Sequence, residues 1–334
     1  MPAEWAPHER TLMCWPARAD MWREHFDAAK AEHAAVANAV AAFEPVMLAA
    51  DPSQEAEARA AVAGEVEVVP IPLDDSWARD SGPIFVTGGD GSPATRGRAG
   101  IRSRAGVHFG FNAWGEKFRP YEDDAAFGAR VLEHLGEERI DATGFVLEGG
   151  SIAVDGEGTL VTTEQCLLHP TRNPDLDRGE IEARLREHLG AERIVWLGSG
   201  LVEDEDTDGH VDNICAWVAP GKVLLQTVAG EDDPNFAFCR ENAERLRAAG
   251  LEVVELAALP RVDHDGPPTV VPYVNYYVCN GALIVPVTGA ATDEEALALL
   301  ASLYPGREAV PVPGTTLALG GGGVHCITQQ VPRA

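Results

Sequence analysis

The sequence predicts an α/β fold: a five-bladed propeller with pseudo-fivefold symmetry, in which the two chain ends close the ring. Polar clusters recur at intervals of about 50–70 residues, a spacing that is typical of blades. Each cluster leads into two short strands joined by a turn, and a helix and a further strand follow. Pairing of the last strand with the first segments would leave no exposed sheet edge, which favours a closed ring.

The clearest unit begins at Leu147 and contains all of these elements. An Asp155-Gly156 turn joins its two strands, and Gly190 ends its helix. The predicted elements are strands at 152–154 and 159–163, a helix at 177–189 and a strand at 193–197.

Four further units follow the same order less completely. The Asn280-Gly281 pair in one of them is a strong hairpin signal. Two units have strands at 214–218, 222–228, 251–256 and 308–311 and helices at 234–249 and 292–304. A looser unit opens at 75–83, with a helix at 123–135. The fifth is divided between the chain ends, with a strand opening at 323–326, strands at 11–15 and 46–50, and a helix at 20–43.

We expect a single catalytic domain over residues 1–334, with an α/β sandwich without symmetry as the alternative. Hydrophobic residues make up 45% of the chain, which is enough for a large core. The sequence contains no apolar run long enough for a membrane helix, and its first residues lack the pattern of a signal peptide. These features predict a cytoplasmic protein with no membrane partner.

The chain is strongly acidic, with a formal net charge of −27. Such a surface repels nucleic-acid phosphates and anionic lipids and attracts small cations, so we expect no nucleic-acid partner. The charge fits general solubility as well as attraction of a cationic substrate, and composition alone does not separate the two.

Cys326 is the candidate nucleophile among six cysteines. No C-x-x-C pair occurs, so a structural zinc site is not indicated. Cys326 follows four glycines, Gly320 to Gly323, which let the backbone approach a ligand closely. A buried strand cysteine is the plain alternative for this motif alone. His325 precedes Cys326 in the predicted strand, and we expect its side chain to face away from the thiol.

The segment Asp208-Gly209-His210-Val211-Asp212-Asn213 contains the candidate acid–base residue. His210 can give and take a proton near neutral pH, and Asp212 can orient a cation. The Asp-x-His-x-Asp spacing also occurs in metal-dependent hydrolases, but a two-metal site needs a second carboxylate cluster of similar type. A metal site is therefore the weaker interpretation, and it leaves Cys326 without a role.

Three more segments contribute polar or aromatic candidates. Asp75, Trp77 and Asp80 lie close together, in a segment that could alternatively be a solvated turn. Glu148 lies between an apolar run and two glycines, where a carboxylate needs a cation or a donor as its partner. Trp114 belongs to an aromatic cluster that fits either a pocket lip or a core.

Several carboxylates around one thiol predict a cationic ligand. Like charges raise the pKa of a thiol and oppose formation of the thiolate. A guanidinium ion removes this conflict, because it is planar and permanently charged and its N–H groups pair with carboxylates. Its carbon would then be held over the sulfur of Cys326.

Taken together, these segments resemble the agmatine deiminase family, which includes bacterial peptidylarginine deiminases. The resemblance spans nearly the whole chain and rests on segments 1–5, 74–80, 111–115, 147–151, 208–212 and 325–330. The fold of that family is the five-bladed α/β propeller called pentein, in agreement with the repeat pattern.

The resemblance implies hydrolysis of agmatine to N-carbamoylputrescine and ammonia through a covalent thiouronium intermediate, a step of putrescine synthesis. The implied catalytic residues are Cys326 as nucleophile, His210 as proton shuttle and Glu148, and the implied substrate-binding residues are Asp80, Asp212, Trp77, Asp75 and Trp114. The implied partner is a small guanidino substrate, and no metal or organic cofactor is implied.

Three alternatives stay open at this level. A deiminase for another guanidino compound, such as peptidyl-arginine, would use the same chemistry in a more open groove. A metal-dependent guanidino hydrolase would lose activity on chelation and tolerate Cys326→Ala. A binding module on the same ring would hold guanidino ligands without turnover. The sequence does not reveal the tail-recognition residues or the oligomeric state, and a homo-oligomer is compatible with it.

Overall fold

The computed structural model describes residues 1–88, 104–264 and 268–334. The strands in these ranges are β1 (His8–Cys14), β2 (Val46–Ala50), β3 (Val66–Pro70), β4 (Ile84–Thr87), β5 (Arg104–Gly110), β6 (Glu138–Val146), β7 (Ala153–Val154), β8 (Thr159–Thr163), β9 (Arg193–Leu197), β10 (Cys215–Ala219), β11 (Lys222–Gln226), β12 (Glu252–Leu256), β13 (Arg261–Val262), β14 (Thr269–Val270), β15 (Tyr277–Cys279), β16 (Ala282–Val287), β17 (Glu308–Pro313) and β18 (Thr328–Pro332). The helices are α1 (Ala19–Trp22), α2 (Phe26–Ala41), α3 (Glu55–Ala61), α4 (Ala78–Ser81), α5 (Ala113–Glu116), α6 (Glu122–Leu135), α7 (Glu164–Leu167), α8 (Arg178–Leu189), α9 (Phe236–Ala248), α10 (Asp293–Leu303) and α11 (Thr315–Leu319).

Five of the sheets repeat one strand pattern. In each, a first strand pairs antiparallel with a second, and the second pairs parallel with a third that follows a helical connection. These sheets are β4-β5-β6, β7-β8-β9, β10-β11-β12, β15-β16-β17 and β18-β1-β2, the last of which is extended by β3. The middle strands β8 and β11 are more buried than the strands on either side of them.

The last of these sheets contains both ends of the chain. β1 and β18 pair antiparallel, from His8 opposite Pro332 to Met13 opposite Thr328. The prediction of a strand opening at 323–326 is wrong, because β18 begins only at Thr328. The preceding backbone is bound by other loops instead: Arg79 N–H donates to the Cys326 carbonyl over 3.1 Å.

The five predicted helices occur in the predicted order, one of them divided in two, and the short helices α3, α4, α5, α7 and α11 were not predicted. The helix predicted at 20–43 is divided into α1 and α2, because Arg23 has a φ of 50°, outside the helical range. The helix predicted at 177–189 corresponds to α8. A capping box of Asp177 and Glu180 begins it, and Gly190, with a φ of 72°, ends it.

A polar segment precedes the first strand of each repeated sheet. The side chains that these segments supply are Asp80 before β4, Glu148 before β7, His210 and Asp212 before β10, Asn275 before β15, and Cys326 before β18. All six are buried. Within the described ranges, no helix is long and apolar enough to cross a membrane.

Candidate active site

The sulfur of Cys326 lies against one carboxylate and one amide. It is 3.5 Å from Asp212 Oδ2, and Asn275 Nδ2 donates to it over 3.3 Å. Burial, together with the charges of Asp212 and Asp80, raises the pKa of the Cys326 thiol well above its usual value. The protein without ligand therefore holds a neutral thiol at pH 7, and a cation beside these carboxylates would favour the thiolate.

Asp80 is held by neutral donors. Trp114 Nε1 donates to Oδ2 over 3.0 Å, and the backbone N–H of Gly150 donates to Oδ1 over 2.9 Å. Burial raises the pKa of Asp80, and the negative charges of Asp212 and Glu148 raise it as well. The nearby ring of His210 lowers this pKa, but the net shift is upward. The surroundings of Asp80 thus leave its negative charge only partly balanced.

The backbone that carries Trp114 is strained. Residues 113–116 all have positive φ, from 51° to 91°, and three of them are not glycine. Such conformations persist where the surrounding structure fixes them, and they often occur at functional sites. Here Arg172 donates to the Trp114 carbonyl over 3.1 Å, and the indole N–H is held on Asp80.

Three of the predicted residues converge around Gly150. A carbon at the Cβ position of Gly150 would lie 2.6 Å from His210 Nδ1 and 3.0 Å from both Asp212 Oδ2 and Asp80 Oδ1. Such distances are too short for any side chain larger than hydrogen, so glycine is required here by close approach. His210 Nδ1 is itself 3.8 Å from Asp80 Oδ2.

His210 is fully buried, and within the described residues neither ring nitrogen has a partner in hydrogen-bond geometry. Burial lowers the pKa of His210, but the charge of Asp80, together with Cys166 and Glu148, outweighs burial and raises it well above the usual value. The ring is therefore an imidazolium at neutral pH and can donate a proton.

Arg172 is the buried cation that Glu148 requires. Its Nε donates to Glu148 Oε1 over 2.6 Å, and both side chains are fully buried. Arg172 also pairs with Asp208 over 2.7 Å. Sequence reasoning predicted that Glu148 needs a partner but did not identify Arg172, which follows it by 24 positions. Glu148 Oε2 has no hydrogen-bond partner among the described residues and can accept from a ligand.

His325 orients Asp212. Its Nδ1 bonds to Asp212 Oδ2 over 2.8 Å, and its Nε2 bonds to Glu4 Oε2 over 2.8 Å. Burial and the charge of Arg79 lower the pKa of His325. The contacts with Glu4 and Asp212 raise this pKa by more, so the net shift is upward. Burial alone would raise the pKa of Asp212, yet its contacts with His325 lower it overall. Asp212 Oδ1 has no partner among the described residues.

A cavity opens over Cys326. Its lining consists of Met21, Trp77, Asp80, Trp114, Phe118, Asp206, Thr207, residues 320–322 and Cys326. Asp206 is the lining residue that sequence reasoning missed, because the run of acidic residues around it resembles a solvated loop. Burial and the charge of Asp204 raise the pKa of Asp206. The cavity thus combines aromatic walls with carboxylates at Asp80 and Asp206.

Asp75 lies outside this group of residues. Arg18 Nε donates to Asp75 Oδ2 over 3.0 Å, and the N–H of Ser76 donates to Oδ1 over 2.8 Å. Asp75 is not among the residues that line the cavity at Cys326. Its carboxylate is therefore satisfied inside the protein, and we do not include it in the proposed substrate site.

Comparison with known proteins gives a consistent result. The family model described as Porphyromonas-type peptidyl-arginine deiminase matches residues 1–332. An agmatine deiminase of Pseudomonas putida is 43% identical, over 99% of this chain and 95% of the relative.

Solved structures agree with the sequence comparison. A structure titled as the agmatine deiminase of Enterococcus faecalis catalysing its reaction is 31% identical and has a TM-score of 0.92, covering 100% of this chain and 95% of the other. The N-terminal domain of ArgZ, an arginine dihydrolase of cyanobacteria, is 14% identical with a TM-score of 0.58, covers 97% of each chain and is similar in fold alone. The chain has the α/β pentein fold.

Proposed function

Because the chain belongs to the family of Porphyromonas-type peptidyl-arginine deiminases, we propose that it is an agmatine deiminase. It would hydrolyse agmatine to N-carbamoylputrescine and ammonia, a step toward putrescine. The Pseudomonas putida agmatine deiminase, at 43% identity over nearly the whole chain, supports agmatine over peptidyl-arginine as the substrate.

One observation carries the chemistry: a buried thiol lies beside carboxylates that keep oxygen atoms without a hydrogen-bond partner among the described residues. Asp212 is 3.5 Å from the sulfur, and Asp80 lines the same cavity as Cys326. These charges raise the thiol pKa, so the site is inactive toward attack until a cation enters. A guanidinium ion supplies that cation and places its own carbon within reach of the sulfur.

The guanidinium N–H groups have three carboxylates as acceptors. Asp212 Oδ1 and Glu148 Oε2 have no hydrogen-bond partner among the described residues, and the hydrogen bonds to Asp80 come from two neutral donors, the Trp114 indole and the Gly150 N–H. Buried carboxylate oxygens without donors are costly, so a ligand that donates to them is favoured. Asp80, Asp212 and Glu148 thereby fix the plane of the guanidinium over Cys326.

In the first stage, the bound cation stabilises the thiolate of Cys326, and the thiol proton passes to solvent. The sulfur attacks the guanidinium carbon and forms a C–S bond. The imidazolium of His210 gives its proton to the departing nitrogen, the C–N bond breaks, and ammonia leaves. A thiouronium adduct and a neutral His210 remain.

In the second stage, neutral His210 takes a proton from water, and the oxygen attacks the thiouronium carbon. The C–S bond then breaks, the ureido product forms, and the proton released from the adduct returns to the sulfur. His210 is again an imidazolium at the end of the cycle, so the same group acts as acid and then as base. Overall, one water is consumed and one ammonia is released.

Recognition of the substrate tail is proposed for Asp206. Agmatine ends in an ammonium group, and the carboxyl group of Asp206 lines the cavity. Burial raises the pKa of Asp206, so a cation beside it would stabilise its charged form. The methylene chain would pack against Trp114 and Phe118, whose rings contact each other edge-on with their centroids 5.6 Å apart. Free arginine carries a carboxylate at this end, which Asp206 would repel.

The finer architecture is also a proposal. The five repeated sheets would stand around one axis as blades, with the β1–β18 pair closing the ring, and residues 1–334 would form a single domain. Each of the five polar segments supplies one side chain or a pair of side chains to the same site, and this supports the arrangement. A cytoplasmic location, the lack of a nucleic-acid partner and a homo-oligomeric state stay predictions.

The test is a substrate panel of agmatine, free arginine and an arginyl peptide, with ammonia and ureido product both measured. We expect kcat/KM for agmatine to exceed the other two by about 100-fold or more, because free arginine carries a carboxylate beside its ammonium group and an arginine within a peptide has an amide nitrogen in its place. Cys326→Ala should lower turnover by roughly four orders of magnitude or more. Asp206→Asn should raise KM for agmatine about tenfold with little change in kcat.

Glu205→Gln is the matched control, since Glu205 is exposed next to Asp206 and does not line the cavity. Equal turnover of all three substrates would overturn the agmatine assignment but not the reaction class. Full activity of Cys326→Ala would overturn the reaction class itself.

A further inference from the structure

Three buried donor groups beside the candidate site converge on one point. Glu148, Cys166 and His210 each offer one donor atom, and these atoms all lie within 4.8 Å of one another. All three residues have no exposed surface. Cys166 has no role in the proposed reaction. It lies in the short helix α7, where the Thr163 side chain caps its backbone N–H.

The Cys166 thiol and the His210 ring interact with each other, and the open positions of this group lie on its oxygen and nitrogen atoms. Among the described residues, Glu148 Oε2 and both ring nitrogens of His210 lack a partner, although all are buried. Cys166 is a free cysteine. A buried carboxylate oxygen without a donor, beside a thiol and an imidazolium that can each release a proton, favours a cation as ligand. This is an observation independent of the clustering itself.

We propose that Glu148, Cys166 and His210 form a binding site for a thiophilic divalent cation such as Zn²⁺, and that an ion bound there excludes the guanidinium substrate. This inference rests on the proposed function, because the ion takes two residues of the proposed reaction, His210 and Glu148. The ion is an inhibitor that competes with substrate and takes no part in turnover.

The donor set suits zinc. Zinc binds thiolate sulfur at about 2.3 Å and imidazole nitrogen or carboxylate oxygen at about 2.0–2.2 Å. Donor atoms around a tetrahedral zinc are therefore roughly 3.3–3.7 Å apart. If the distances between the donor atoms shorten by on the order of 1 Å from their upper limit of 4.8 Å, the three residues can bind one zinc ion, with water as the fourth ligand. A sulfur, nitrogen and oxygen set disfavours Mg²⁺ and Ca²⁺, which prefer oxygen alone.

The local charge also favours a cation. Asp80 approaches His210 to 3.8 Å, and Gly150 has Asp80, Asp212 and His210 around it. Arg172 opposes the ion, but it is bound to Glu148 Oε1 and to Asp208, so its charge is already shared between two carboxylates. Glu148 Oε2 and Asp212 Oδ1 thus remain as negative atoms without a hydrogen-bond partner among the described residues, and either a guanidinium or a divalent ion can neutralise them.

The binding step balances without oxidation or reduction. The Cys166 thiol and the His210 imidazolium each lose one proton to solvent, and their lone pairs form bonds to the ion. Cys326 is not required, because it is not part of the converging group of donors. The thiol that binds the ion is therefore different from the proposed nucleophile, and this difference makes the proposal testable.

The experiment uses the full-length protein freed of metal, titrated with Co²⁺ as an optical probe and with Zn²⁺ as inhibitor. We compare the wild type with Cys166→Ala, Cys166→Ser and the matched cysteine variant Cys326→Ala. We expect one equivalent of Co²⁺ and a sulfur-to-cobalt charge-transfer band in the wild type and in Cys326→Ala. Both should be lost in the two Cys166 variants. Zn²⁺ should inhibit the wild type competitively with agmatine, and Cys166→Ser should raise the inhibitory concentration roughly 100-fold.

A band that disappears in Cys326→Ala and persists in both Cys166 variants would place the ion on the nucleophile and overturn the proposal. Absence of the band and of stoichiometric Co²⁺ uptake in the wild type would overturn it as well. The serine variant guards against a folding defect of the alanine variant. If the proposed function is wrong, the metal-free wild type will not turn over agmatine. The Co²⁺ band does not depend on turnover, so the two outcomes can be told apart.

Discussion

Asp75 and Asp80 lie five positions apart and are almost equally buried, at 2% and 5% exposure, yet their surroundings differ. Asp75 has a full cation, Arg18, at 3.0 Å and the charge of Asp124 nearby. Asp80 is bound by an indole and a backbone N–H, and His210 Nδ1 lies 3.8 Å from its Oδ2. Asp80 lines the cavity at Cys326, and Asp75 does not.

This difference separates a carboxyl group that is bonded within the protein from one that is available to a ligand. Burial alone does not decide the role, since both are buried. An arginine and one backbone N–H, that of Ser76, bind Asp75 from within the protein. Asp80 shares its surroundings with Asp212 and Glu148, which leaves an excess of negative charge that a guanidinium can balance. The sequence predicted both residues to bind substrate, because it does not show that Arg18 binds Asp75 or that Trp114 binds Asp80.

The largest expected effect is on activity. We expect Asp80→Asn to lower kcat/KM for agmatine by roughly 100–1000-fold, because one of the buried partners of the substrate cation is lost. Asp75→Asn should stay within about threefold of the wild type. Steady-state kinetics on both variants check this, with circular dichroism to establish folding. A larger loss in Asp75→Asn than in Asp80→Asn would break the comparison.

A smaller effect concerns the reactivity of Cys326 toward alkylating reagents of different charge. At neutral pH the cationic reagent chloroacetamidine should modify Cys326 about 100-fold faster than neutral chloroacetamide, because only the cation stabilises the thiolate between the carboxylates. Modification by the neutral reagent should accelerate as the pH rises, since the thiol pKa is raised.

The two aspartates should differ in this assay too. Asp80→Asn should reduce the rate ratio of the two reagents about tenfold, and Asp75→Asn should leave it unchanged. Rates are followed by mass spectrometry, with Cys326→Ala to identify the modified residue. Equal ratios in the two variants would show that the charge of Asp80 does not act on the sulfur.

The smallest expected effect is on stability, and it belongs to Asp75. Burial and the charge of Asp124 raise the pKa of Asp75 to about 8, and burial raises the pKa of Asp124 to about 7. Between about pH 4 and about pH 8 the folded protein therefore binds more protons at these groups than the unfolded chain does. Their contribution to the free energy of unfolding falls as the pH rises through this range.

Asp75→Asn removes one of these two groups and the charge that it exerts on Asp124. The variant should therefore lose less stability than the wild type between about pH 5 and about pH 8, as measured by urea denaturation. Parallel unfolding curves at every pH would contradict the assignment of these pKa shifts.

Much of the fold followed from local patterns. The hairpin signal at Asn280-Gly281 corresponds to the connection of β15 and β16, and the predicted bounds of β2, β8 and β9 are those observed. The strand predicted at 323–326 failed, because contacts with Arg79 and Asn275 hold that backbone outside the sheet ladder. Such contacts join residues that are far apart in the sequence, and no local pattern encodes them.

The sequence by itself determined the repeating order of strands and helices, the nucleophile candidate and the need for a cationic ligand, because periodicity, glycine runs and residue chemistry are local properties. Only the tertiary structure decided which carboxylates remain available. Arg18 reaches Asp75, Arg172 reaches Glu148, and Glu4 reaches His325 across the chain. The balance of charge at a buried group depends on neighbours within a few ångströms in space, and these neighbours are set by packing.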